Sequence, residues 1–155
     1  MEISKKNVLI TAVTLCAAIS ASTIAFAADE AQEKAAEYRQ STFTMVGHHS
    51  GVLGAMVKGK VDFDAAIYTK NAEALAALTM LAPTGFEVEG TSDDSRAKAA
   101  IWEDKEDFDE KMKAFQVASA ALVEASKSGD EKTAKAAYGD VGKTCKGCHT
   151  EYRSK

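Results

Sequence analysis

The sequence predicts an all-α fold, an antiparallel up-down four-helix bundle, on three observations. Alanine is abundant, Pro83 is the only proline, and alternating β-branched runs are missing from the 155 residues. The first segment is of another kind. Met1-Glu2-Ile3-Ser4-Lys5-Lys6 leads into an uncharged apolar run from Val8 to Ile19, and small residues follow, ending Ala25-Phe26-Ala27. A basic start, about a dozen apolar residues and an A-x-A site make a secretory signal peptide. The run is shorter than the ~20 apolar residues of a membrane anchor. Leu15 precedes Cys16 where a lipid anchor would need a small residue. Export to the periplasm is therefore expected, with cleavage after Ala27 and a mature domain over 28–155 that carries no membrane anchor.

The bundle helices follow in order. The first is expected from about Glu30 to Lys58, stopping at Gly59. The second starts behind Asp62, a good N-cap residue, and ends near Ala82 before Pro83. A loop with Gly85 and Gly90 runs to about Asp94. The third helix, with a short separate turn around Ile101-Trp102, continues to about Lys127. Ser128-Gly129-Asp130 makes a tight connection, and the fourth helix runs from Glu131 to about Arg153. Spacing supplies the packing. Phe108, Met112, Phe115, Ser119 and Leu122 alternate steps of four and three, as do Ala134, Tyr138, Val141, Cys145, Cys148 and Tyr152. Such a stripe is the seam of near-antiparallel helices crossing at about 20°. Gly47, Gly51 and Gly54 interrupt the first helix with small residues, which either admit a close neighbour or mark a bend or early end.

Charge excludes one class of partner. Without Lys5, Lys6 and Glu2 the mature chain has 17 basic and 22 acidic residues, a net charge of −5. No basic stripe exists to neutralise phosphates, so nucleic acid is not an expected partner.

The chemistry is concentrated in Lys143-Thr144-Cys145-Lys146-Gly147-Cys148-His149. Cys145 and Cys148 are three residues apart, and His149 is four beyond Cys145, so all three leave one side of a single helical turn. Both cysteines belong to the core stripe. C-x-x-C-H is the attachment signature of a c-type haem, with two thioethers to the vinyl groups and the histidine as axial iron ligand. Two other chemistries use paired thiols. Structural zinc needs four ligands, usually two separated pairs, and here His48 or His49 would have to supply the fourth. A thioredoxin-like centre expects a βαβ setting, which this pattern lacks.

Tyr38-Arg39-Gln40 in the first helix, Ala100-Ile101-Trp102 opening the third, and the C-x-x-C-H element followed by Tyr152-Arg153 make the chain resemble the cytochrome c′ family over essentially all of 28–155. The resemblance implies a periplasmic four-helix bundle, commonly a homodimer through its first two helices. It implies one covalent haem c per chain, usually with five-coordinate iron, that binds nitric oxide and carbon monoxide. It implies an electron carrier with an unknown redox partner protein rather than an enzyme. Carried over residue by residue, Arg39 lies near the haem propionates, Gln40 touches the haem, and Arg153 is the basic residue on the proximal side. Ser95 and Arg96 match the segment on the propionate edge, although relatives often carry an acidic residue where Arg96 stands. In low-spin relatives a methionine four residues after the arginine binds the iron; here that position is Phe43, about 40° off the face of Arg39, and phenylalanine has no lone pair to give. Met45, two residues past Phe43, lies about 200° around the helix from it, and His49 about 9 Å further along the axis than Phe43. A low-spin six-coordinate carrier and a non-haem metal-binding helical protein are the alternatives.

Overall fold

The computed structural model describes residues 5–92 and 95–155, with side chains from Ala28 onward. The leader expected over 1–27 lies outside the described side chains. Four long helices form the body: α1 (Lys5–Val57), α2 (Ala65–Leu81), α4 (Lys105–Lys127) and α5 (Glu131–Tyr152), with the short α3 (Ala100–Glu103) preceding α4. Among the described residues no helix is long and apolar enough to cross a membrane.

α1 begins well before the expected Glu30. From Lys5 to Val46 the chain holds neither glycine nor proline, so nothing halts helical propagation. Its end falls where the sequence puts it. Gly59 adopts a φ of +65°. Its N–H donates to Met56 O at 3.1 Å and the Lys60 N–H to Ala55 O at 2.9 Å, the paired bonds of a glycine-terminated helix. The three earlier glycines do not stop α1: Gly47 and Gly51 face open space, and Gly54 leaves room for the Tyr138 hydroxyl of α5. That hydroxyl donates to Ser50 O at 2.8 Å, tying α1 to α5.

The N-cap of α2 is Asp64 rather than Asp62. Asp64 Oδ1 accepts from the Ile67 N–H at 2.9 Å. Phe63, just before the cap, packs on Tyr68 with ring centroids 5.0 Å apart. This hydrophobic staple needs Phe63 outside the helix, which a start after Asp62 would prevent. After α2 the expected loop opens with a 3-10 turn, Ala82–Phe86, whose first residues include Pro83. Asp104 then ends α3 and caps α4, accepting from the Asp107 N–H. Asp130 caps α5 through the Lys132 and Thr133 N–H groups.

The core follows the predicted stripes. Phe108, Met112, Phe115, Ser119 and Leu122 of α4 are all buried, as are Ala134, Val141 and Tyr152 of α5. Tyr68, Ala72, Leu75 and Leu78 of α2 complete the centre, with Val46, Leu53 and Met56 from α1. Each fully buried side chain such as Leu75 or Leu122 contributes about 1.5–3 kcal/mol. α4 packs against both α2 and α5, and α1 against α2, while the face between α1 and α5 is more open. Cys145 and Cys148 of α5 are half-buried against the core.

Candidate functional site

One tie between α1 and α5 indicates which part of α1 is level with the cysteines. Tyr138 meets Ser50 toward the far end of the pair. From there Cys148 is ten residues along α5, or about 15 Å, toward the end where antiparallel α1 carries Phe43 and Arg39. An aromatic chain crosses the bundle at that end. Phe43 of α1 meets Phe86 of the 3-10 turn at 6.2 Å, Phe86 meets Phe108 of α4 at 4.8 Å, and Phe108 meets Tyr152 of α5 at 5.3 Å. Arg39, Phe43, Cys145 and Cys148 thus share one end of the molecule.

Arg39 is the anomaly of that end. It is only 5 % exposed. Nη1 donates to Gly85 O at 2.8 Å and Nη2 reaches Gly90 O at 3.5 Å. The guanidinium lies 5.5 Å from the centroid of Phe86 and 5.7 Å from that of Trp102. Position 85 has to be glycine for this, because a Cβ there would stand 2.6 Å from Arg39 Cγ. Nε has no partner, and among the described residues no carboxylate pairs with this cation. Burial holds its pKa below the usual arginine value, yet a guanidinium stays charged under all ordinary conditions.

On α5, burial pushes both thiols above the ordinary cysteine range, and for Cys148 the neighbouring Cys145 adds to the rise. Such thiols are poorly poised as thiolates for disulfide exchange or zinc. His149, on the exposed side of the same turn, is held below the usual histidine value, first by loss of solvation and then by the charges of Arg153 and Arg96. Among the described residues no three His, Cys, Asp or Glu side chains gather as a metal cage would require. His49 is turned to α2, where Nδ1 meets Asn71 Oδ1 at 2.9 Å. Met45 is 46 % exposed and Met56 belongs to the core.

The remaining expected contacts are more dispersed. Gln40 is exposed on α1. Ser95 Oγ accepts from the Ala97 N–H, and Arg96 forks onto Ser154 O through Nε at 3.2 Å and Nη2 at 2.9 Å. Arg153 is the first residue past α5, in extended geometry, and forms an antiparallel bridge with Ala97. Sequence reasoning did not find this bridge, nor Phe86 and Trp102 around Arg39. Non-local pairing of single residues leaves no periodic trace.

Comparison with known proteins gives this end its chemistry. The family model for cytochrome c′ matches residues 34–153. The chain belongs to the cytochrome c′ family. The cytochrome c′ of Cereibacter sphaeroides is 42% identical over 146 residues, covering 92% of this chain and 95% of that one. The structure of cytochrome c′ from Shewanella frigidimarina superposes with a TM-score of 0.78 at 44% identity, over 80% of this chain and 97% of that one. A nitric oxide complex of a mutant cytochrome c′ from Alcaligenes xylosoxidans gives a TM-score of 0.74 at 39% identity, over 80% and 96% of the two chains. The chain is therefore a haem protein rather than an enzyme, and its cofactor is the covalent haem c of the cytochrome c′ family.

The residues fit that group. A buried cation with an unpartnered N–H is what an anionic propionate would complete, and two half-buried neutral thiols on one helical turn suit thioether formation.

Proposed function

We propose that this protein binds diatomic gases, nitric oxide and carbon monoxide, and passes single electrons, through one haem c at the Arg39–Cys148 end of the bundle. The observation that carries the reading is Arg39, a buried guanidinium whose Nε lacks a partner, at the level of a C-x-x-C-H turn. Cys145 and Cys148 would hold the haem covalently, and His149 would supply the axial nitrogen. The bound haem supplies a redox-active iron with affinity for small diatomic molecules.

The chain's own residues set the terms. Arg39 would pair with a propionate through the guanidinium edge that carries the unpartnered Nε–H. Gln40, Ser95, Arg96 and Arg153 are the further expected contacts around the group. Phe43, held by Phe86, offers no lone pair, so His149 would be the one protein ligand and the iron would be five-coordinate. A ring packed there has to move for an incoming gas, at a steric cost. Carbon monoxide should bind slowly or weakly, and Phe43→Ala should bind it faster. The nitric oxide complexes of Alcaligenes xylosoxidans cytochrome c′ support the gas-binding part. Export after Ala27 to the periplasm and pairing of two copies through α1 and α2 belong to the same reading.

The test is the mass and visible spectrum of the exported protein. The expected result is a chain starting at Ala28 with one haem added and a broad high-spin Soret band. A sharp low-spin α-band in both oxidation states would overturn the five-coordinate assignment. A bare chain carrying zinc would overturn the whole reading.

A further inference from the structure

An α-helix leaves its last four carbonyl groups without intrahelical partners, and its ends fray. In α5 those carbonyls belong to the turn His149 to Tyr152, the turn that begins with the proposed iron ligand. Three of the four are met by one residue. Lys98 Nζ donates to Thr150 O at 3.3 Å and to Glu151 O at 2.9 Å, and the Lys98 backbone N–H donates to Tyr152 O at 3.0 Å. A cation at this place also suits the negative end of the helix dipole. Arg96 grips the next residues from the same strap. It forks onto Ser154 O, and its own carbonyl accepts from the Ser154 N–H at 2.8 Å and from Ser154 Oγ at 3.2 Å. The Ala97–Arg153 bridge lies between the two grips.

We infer that Lys98 and Arg96 are positioning residues for His149: the strap before α3 clamps the last turn of α5 and fixes the orientation in which its imidazole is presented. Ala97 packs against the core, and the segment's other named contacts are polar. The side chains of Arg96 and Lys98 are both spent on the end of α5. The clamp acts on backbone, so it is indifferent to which side chains follow His149. The inference rests on the haem reading above. A failure of that reading shows as missing covalent haem, before any variant is compared.

The test uses the haem-loaded protein and three variants. Ser154→Pro deletes both donors to Arg96 O, the backbone N–H and the hydroxyl, and keeps every charge, and Arg153 already has the extended geometry that a residue before proline prefers. Arg96→Gln and Lys98→Met remove the side-chain grips. Two quantities are read: amide exchange at Lys98 and along the last turn of α5, and the iron–histidine stretching band of the ferrous protein by resonance Raman. The expected result is exchange faster by about tenfold or more in Ser154→Pro, since each of the two lost hydrogen bonds confers about three- to tenfold, with the band shifted or broadened in all three variants. An unmoved band overturns the inference whatever the exchange does, since the strap then only tidies the chain. A shift confined to Arg96→Gln and Lys98→Met also overturns it, because a charge effect would then explain the change.

Discussion

The two ends of the bundle are built from different materials. At the end where α1 meets α2 and α4 meets α5, three hydroxyls that join the helices are neutral and paired within the protein. Tyr68 donates to Ala134 O at 3.0 Å, Thr69 to Ser126 O at 3.3 Å, and Tyr138 to Ser50 O at 2.8 Å. At the other end a buried guanidinium lies among aromatic rings with one N–H unmatched, beside two thiols that no disulfide uses. An end that needed only to fold would look like the first. The second carries groups whose presence makes sense once an anionic, covalently held cofactor is added.

Arg39→Leu should break this contrast most sharply. In the haem-loaded protein the change removes a charge-assisted contact and should cost about 2–3 kcal/mol, with a fall in reduction potential as a cation beside the haem is lost. In the apoprotein, prepared as Cys145→Ser/Cys148→Ser, the same change also removes a poorly matched buried charge, and the loss should stay under about 1 kcal/mol. Urea titrations of both forms measure it. Equal losses would mean that Arg39 serves only the fold.

A pair of glycine substitutions sharpens the account of the opposite end. A Cβ at Gly54 would sit 2.8 Å from the Tyr138 hydroxyl, whereas one at Gly51 meets nothing within 4 Å. Gly54→Ala should destabilise by about 1–2 kcal/mol through overpacking. Gly51→Ala should stabilise by up to about 1 kcal/mol through helix propensity. If both alanines stabilise, Tyr138 is not the tie between α1 and α5 that the structure describes.

The smallest effect concerns Tyr68. Burial first, and then neighbouring Tyr138, pushes its pKa up to about 12 from an ordinary 10. The folded state thus holds this proton more tightly than the unfolded state. The associated stability is complete below pH 10 and is lost as pH rises toward 12. Tyr68→Phe should cost about 1 kcal/mol at neutral pH and flatten the decline above pH 10. An unchanged alkaline profile in the variant would assign the decline to other groups.

What was legible in the sequence follows the same division. The α4 stripe from Phe108 to Leu122 and the Cys145–His149 turn were readable because helix periodicity and a three-residue thiol spacing are local signals. The start of α2 was misplaced by two residues. Asp62 and Asp64 are equally good caps on paper, and only the packing of Phe63 on Tyr68 separates them. The length of α1 was underestimated because the helix was expected to begin only after the expected cleavage site. The 3-10 turn that supplies Phe86 and Gly85 to Arg39, and the strap that meets the end of α5, were invisible. They arise from contacts 46 to 58 residues apart in the chain, which no short window samples.

The spacing of Cys145 and Cys148 has a consequence for how the loaded protein melts. If both thiols hold the haem as proposed, two bonds to one rigid group, three residues apart, close a very small ring, so they take little freedom from the unfolded chain. A disulfide between distant helices would behave otherwise. The tether also keeps the group with the chain after unfolding, so free haem in solution cannot shift the midpoint by mass action. Any rise in melting temperature must then come from contacts made across the bundle, at roughly 4 °C for each kcal/mol in a domain of this size. Refolding begins with the group already attached, at an effective concentration that dilution does not change.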